Sequence, residues 1–175
     1  YAEWVLGPPR AGERRFVVSE RDAATGVILA RNAYNSDFKD RVAFLHASVP
    51  ARSFTSDRGD FIGRNRTLAS PAALFRETLG GRLGAGLDPC AALQLHGEIP
   101  PGESRAIALV LGQGQSPAHA IELATRYSDL NQVHEAFARS ARFWDETLGA
   151  VQVQTPDHSF DLITNRWLLY QALSC

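Results

Sequence analysis

A chain of 175 residues with 45% hydrophobic composition can bury one sizeable core, and its 18 basic residues are scattered among 19 acidic ones for a net charge of −1. That balance offers no cationic stripe for a phosphate backbone to follow, so nucleic-acid binding is not expected. No apolar run approaches the roughly 20 residues that span a bilayer, so direct membrane insertion is not expected either.

Tyr1-Ala-Glu-Trp-Val-Leu6 is already strand-like in its aromatic and β-branched content. Nothing caps or leads into it, and the chain has no methionine, so a natural start upstream of Tyr1 is expected. Further strands are predicted at 15–20, 27–34, 42–48, 91–99 and 105–112, separated by turn signals such as Gly7-Pro8-Pro9, Ala24-Thr25-Gly26 and Pro100-Pro101-Gly102. Strands at this spacing without intervening helices argue for an antiparallel sandwich. The stretch 54–86 interrupts them with charges, glycines and a helical turn predicted at 71–79, and is read as an excursion from a sheet edge.

After Gly112 the texture changes. Ser116-Pro117 opens a helix with Ala120, Ile121 and Ala124 on one face. A second helix follows over 130–148, where Leu130, Val133, Phe137, Ala141, Trp144 and Leu148 form an apolar stripe read as core. Gly149 ends it. Thr155-Pro156-Asp157 then starts a last helix, carrying Phe160, Ile163, Trp167 and Tyr170 at helical spacing. That helix has an apolar face and little following sequence to cover it, so the chain is expected to be a piece of a larger protein.

Chemistry-bearing clusters are sparse. Cys90 and Cys175 lie in no CxxC or Cys/His array, and the five histidines are dispersed, so neither a metal site nor a nucleophilic triad emerges from spacing. Cys90 reads as a small buried thiol in an apolar strand, and such sparse cysteine usage fits a reducing compartment. Asp157 and Asp161, four residues apart at a helix start, suit the helix dipole better than acid/base work.

Three stretches carry a resemblance that covers nearly the whole chain. They are Thr55-Ser-Asp57-Arg58-Gly-Asp-Phe61-Ile-Gly63-Arg64-Asn65; Gly84-Ala-Gly-Leu-Asp88-Pro89-Cys90-Ala-Ala-Leu-Gln94; and Val151-Gln-Val-Gln-Thr155-Pro156-Asp157, continued by Asn165-Arg-Trp167-Leu-Leu-Tyr170-Gln171. With the opening Tyr1-Ala-Glu-Trp4-Val-Leu-Gly7, they resemble the family-94 glycoside phosphorylases, most of all the carboxy-terminal region of cyclic β-1,2-glucan synthases. The resemblance implies a β-rich fold with a helical C-terminal part. An antiparallel β-sandwich of the supersandwich, galactose-mutarotase-like kind would occupy 1–114, helical linker residues 115–149, and the start of a truncated (α/α)6 barrel 150–175.

In that family an acid deep in the barrel protonates the glycosidic oxygen while phosphate attacks the opposite face with inversion. The resemblance therefore implies no catalytic residue and no cofactor in this chain, with inorganic phosphate a co-substrate of the parent. The implied partners are a β-glucan or glucooligosaccharide, the rest of the parent polypeptide, and a second copy in a homodimer. The implied location is cytoplasmic, with any anchor in a bacterial inner membrane lying elsewhere in the parent.

Sugars are held by planar polar side chains and by aromatic faces. Asp57, Arg58, Phe61, Arg64 and Asn65 supply both ingredients in one polar loop of the β-domain, and Asn165, Trp167 and Gln171 open the barrel. The competing reading is structural: Phe61-Ile62-Gly63 docks the loop, Arg58 pairs with Asp57 or Asp60, and Trp167 is buried between helices. A different class of function is a standalone, non-catalytic sandwich that binds carbohydrate or oligomerises through a sheet face.

Overall fold

The computed structural model describes residues 1–7 and 12–174. It resolves into two compact units, Tyr1–Leu130 and Asn131–Cys175.

The first unit contains two antiparallel sheets. Strands β1 (Ala2–Glu3), β6 (Pro89–Leu95) and β5 (Ala51–Asp57) form one, in the order β1-β6-β5. The other is β2 (Val18–Arg21), β3 (Ile28–Arg31), β4 (Val42–Ala47) and β7 (Leu109–Gly114), joined in chain order. Successive side chains in a strand face opposite ways, and here both faces of the larger sheet are covered. Ile28, Ala30, Ala43 and Leu45 point inward to meet Trp4, Val17 and Ala91 between the sheets. Val27, Leu29, Val42 and Phe44 point outward against Ala120 and Ala124 of helix α2 (Pro117–Arg126). Two-sided burial explains why β3 and β4 read as continuous apolar runs rather than alternating ones.

Helix α2 is therefore a layer of this unit. Ser116 caps it by accepting from the His119 N–H at 3.2 Å, and Pro117 occupies its first turn. Its alanines let it lie close to the sheet. A Cβ on Gly114 would come within 2.5 Å of the Ala120 backbone nitrogen, so only glycine fits at the end of β7.

On the outer side of the smaller sheet, Ala92 packs with Ala73, Leu79 and part of Phe61. These belong to the excursion, which begins later than position 54 because β5 takes 51–57. That strand was hidden in the sequence. Its buried residues Thr55, Ser56 and Asp57 are small and polar, and two register irregularities break its alternation. Other boundaries differ modestly. Residues 13–16 form a 3₁₀ turn before β2, and the helical turn predicted at 71–79 shrinks to a 3₁₀ turn over Ala72–Phe75.

In the second unit, α3 (Leu130–Leu148) is followed, after a non-helical connection over 149–157, by an irregular C-terminal helix made of α4 (His158–Leu162), a π-helical turn (Ile163–Trp167) and α5 (Leu168–Ser174). The stripe expected as core is buried only at its end. Leu148 is 9% exposed and Phe137 77%. Trp144 packs against Phe143 and Tyr170, but the unit has too few elements to cover the rest of the stripe. Cys175 lies outside the described residues.

Candidate functional site

The polar loop of the sequence reading is built around Asp57, which ends β5 and caps α1 (Arg58–Ile62). Its Oδ1 accepts from the Gly59 N–H at 2.9 Å, and its Oδ2 pairs with Arg82. The helix stops after one turn at Gly63. There φ is +81° and a Cβ would sit 2.6 Å from the Ala72 Cβ, so the backbone can turn only with glycine. Asn65 follows in the left-handed region at φ +63°, which asparagine tolerates.

Arg58 is not paired with Asp57 or Asp60, as the structural alternative supposed. Its Nε donates to Glu3 Oε1 at 2.8 Å, and its Nη1 reaches Asp88 at 3.5 Å. Arg14 faces the same two carboxylates at 3.9 and 3.7 Å. Tyr1 donates to Glu3 Oε1 at 2.8 Å and stacks its ring on Phe61, with centroids 4.5 Å apart. The hydrogen bond from Arg58, reinforced by Tyr1, holds the Glu3 carboxyl below its ordinary range. Partial burial and the bond to Glu3 push the Tyr1 phenol up.

Asp60 has its own partners. Burial alone would raise its pKa, but hydrogen bonds from the Gly80 N–H, Thr55 and Arg76 outweigh this and lower it. Gly80 lies 2.9 Å away and Arg76 2.7 Å.

The five loop residues thus divide into two groups. Asp57, Arg58 and Phe61 anchor the loop, while Arg64 and Asn65 are exposed and make no side-chain hydrogen bond or ion pair among the described residues. Arg66, beside them, lies over the Phe75 ring at 4.2 Å. The anchoring partners Glu3, Arg82 and Asp88 were not identified from sequence, since they lie 25 or more positions from the loop residue each one holds. The only hints were Glu3 and Asp88, each of which stood inside a stretch carrying the resemblance.

The second group of candidates belongs to the second unit. The Asn165 amide bridges the Val153 backbone, accepting from its N–H at 2.6 Å and donating to its C=O at 2.8 Å. Asp157 caps α4 through the Ser159 and Phe160 N–H groups, and Asp161 accepts from the Thr155 N–H. Both carboxylates are structural, as their position at a helix start suggested. Trp167 is not buried between helices. It is 57% exposed and lines an apolar hollow with Leu148, Leu162, Ile163 and Tyr170. Gln171 is exposed one turn further on.

Among the described residues no group of three His, Cys, Asp or Glu side chains could hold a metal ion, and no helix is long and apolar enough to cross a membrane. Cys90 is fully buried, and burial, followed by the nearby Asp57, Asp88 and Glu3 charges, pushes its thiol up to about 12. Since the thiolate is the nucleophile, Cys90 in the native chain should resist iodoacetamide at pH 8 and become labelled in urea. Peptide mass mapping reads the difference, and rapid native labelling would contradict the burial.

A family model described as the glycosyl hydrolase 94 supersandwich domain matches residues 1–130. The chain is 34% identical over 178 residues to the cyclic beta-(1,2)-glucan synthase NdvB of Rhizobium meliloti, a match covering 100% of this chain and 6% of that protein. It is 33% identical over 142 residues to the N,N'-diacetylchitobiose phosphorylase of Vibrio furnissii, covering 81% of this chain and 18% of that enzyme. A cellobionic acid phosphorylase of Neurospora crassa is 27% identical over 134 residues, covering 77% of this chain and 17% of that enzyme. The chain spans less than a fifth of the length of each.

Proposed function

The chain belongs to glycosyl hydrolase family 94, whose supersandwich domain it carries over residues 1–130, and on that premise we propose that it is the non-catalytic platform of a carbohydrate-active enzyme acting on a β-glucan or glucooligosaccharide. The full enzyme would carry out inverting phosphorolysis, or control glucan chain length, with inorganic phosphate as its co-substrate. The relative named as a cyclic beta-(1,2)-glucan synthase supports a glucan, and the one named as an N,N'-diacetylchitobiose phosphorylase supports phosphorolysis of a saccharide.

The observation that carries the reading is the division within the 57–65 loop. Three residues fix its course, and Arg64 and Asn65 present planar polar groups, unpaired among the described residues, at its exposed turn. Such groups can satisfy vicinal sugar hydroxyls in pairs. In this reading the loop contributes to a saccharide site shared with other parts of the parent polypeptide or with a second copy in a homodimer. The parent would work in the cytoplasm, with any inner-membrane anchor outside these residues. Trp167 and Gln171 would face sugar only after further helices enclose them.

The proton donor is supplied by residues outside these 175. Incubating the chain with a β-1,2-glucooligosaccharide and inorganic phosphate should therefore release no glucose 1-phosphate above the enzyme-free control. Sustained release would place an acid within the chain and overturn the assignment.

A further inference from the structure

At one end of the sandwich, the turn after β2 and the connection between β4 and β5 enclose a hollow of about 320 Å³ whose lining includes Arg21, Thr25, Gly26, His46, Ser48 and Leu93. Arg21 pairs with Ile28 in the sheet and shares its inner face. Its guanidinium lies 4.8 Å from the centroid of the Phe54 ring and packs so closely on Gly26 that a Cβ there would be 2.8 Å from one terminal nitrogen.

This guanidinium makes no hydrogen bond or ion pair among the described residues, and its Nε is closed off from solvent without an acceptor. The neighbouring Asp22 does not supply one. Its Oδ2 is taken by the Thr25 N–H at 2.7 Å and the Thr25 hydroxyl at 2.6 Å.

The remaining wall is also rich in donors. The Ser48 oxygen accepts from the Ala108 N–H at 2.9 Å, so its own proton is left to give. Among the described residues His46, half-buried, has no hydrogen-bond partner, and no carboxylate lines the hollow. Burial, and then the Arg21 charge, hold the His46 pKa down, so Arg21 is the charged group of the lining. The two terminal nitrogens of a guanidinium can hold a planar or tetrahedral oxyanion through two parallel bonds.

We propose that this hollow is a binding site for a small oxyanion, a carboxylate or a phosphate group, held by the Arg21 guanidinium with the Ser48 hydroxyl as a further donor. The site lies on the sandwich itself and involves none of the residues of the 57–65 loop.

Amide chemical shifts of the 175-residue chain, titrated separately with sodium phosphate and with sodium acetate at constant ionic strength, test it. At least one anion should give saturable shifts centred on residues 21–26 and 46–51. Response to phosphate alone identifies a phosphoryl group as the ligand, response to acetate alone a carboxylate, and response to both the geometry the two share. Arg21→Gln should weaken binding by about 10- to 100-fold, the loss expected for a charged two-point hydrogen bond. Arg21→Lys keeps the charge and loses the fork, and should weaken it several-fold even if the glutamine variant fails to fold. The proposal is overturned if neither anion gives saturable shifts, if chloride reproduces them, or if the lysine variant binds like the parent chain.

Discussion

Replacing Trp4 with alanine should destabilise the chain by about 3–5 kcal/mol, the range for truncating a large aromatic in a packed core. Trp4 is 5% exposed and sits where both sheets meet, against Val17, Ile28, Ala30, Ala43, Leu45 and Ala91. Its backbone N–H extends the β1 pairing to the Pro89 carbonyl at 3.2 Å, and that bond survives the substitution. The indole nitrogen is buried with no acceptor among the described residues, so the loss is one of packing. Trp4→Phe should therefore recover most of it, leaving a deficit of about 1 kcal/mol from the smaller ring. Urea unfolding followed by circular dichroism separates the two variants. Equal, small losses for both would mean that Trp4 is not the piece that joins the sheets.

Asp57→Ala should cost about 2–3 kcal/mol, because one side chain both caps α1 and holds Arg82. Most of this belongs to the cap. Asp57 is 6% exposed, whereas the Arg82 side chain is 56% exposed, and a pair half open to water contributes little. Asp57→Asn keeps an acceptor for the Gly59 N–H and should cost under half as much. Hydrogen exchange adds a local readout. The amides of Gly59 and Gly63 should lose protection in the alanine variant and largely keep it in the asparagine variant, while β3 and β4 stay protected in both. Uniform loss across the unit would show that the loop is not an independently anchored element.

The strands that bury both faces were legible because they are unbroken apolar runs: β3 and β4 fall inside the predicted 27–34 and 42–48. Helix α2 announced itself through Ser116-Pro117 and its alanine face. Strand β5 did not, since its buried positions are Thr55, Ser56 and Asp57, which look like loop residues until a partner strand satisfies them. The candidate loop was legible as a composition of Asp, Arg, Phe and Asn, but its internal division was not. Which arginine is free depends on carboxylates brought from position 3 and position 88, and no local pattern encodes that pairing. Trp167 shows the reverse limit. A helical stripe predicts that its residues will share a face, but not that a covering element is present, and this tryptophan remains 57% exposed.

The central claim is that these residues provide an anchored but partial saccharide contact, completed only by other parts of an enzyme. Calorimetric titration of the chain with a β-1,2-glucooligosaccharide tests it most directly. Arg64 and Asn65 alone should bind with a dissociation constant weaker than about 1 mM, corresponding to less than about 4 kcal/mol of binding free energy. A micromolar dissociation constant would contradict the claim and make the sandwich a self-sufficient carbohydrate-binding module.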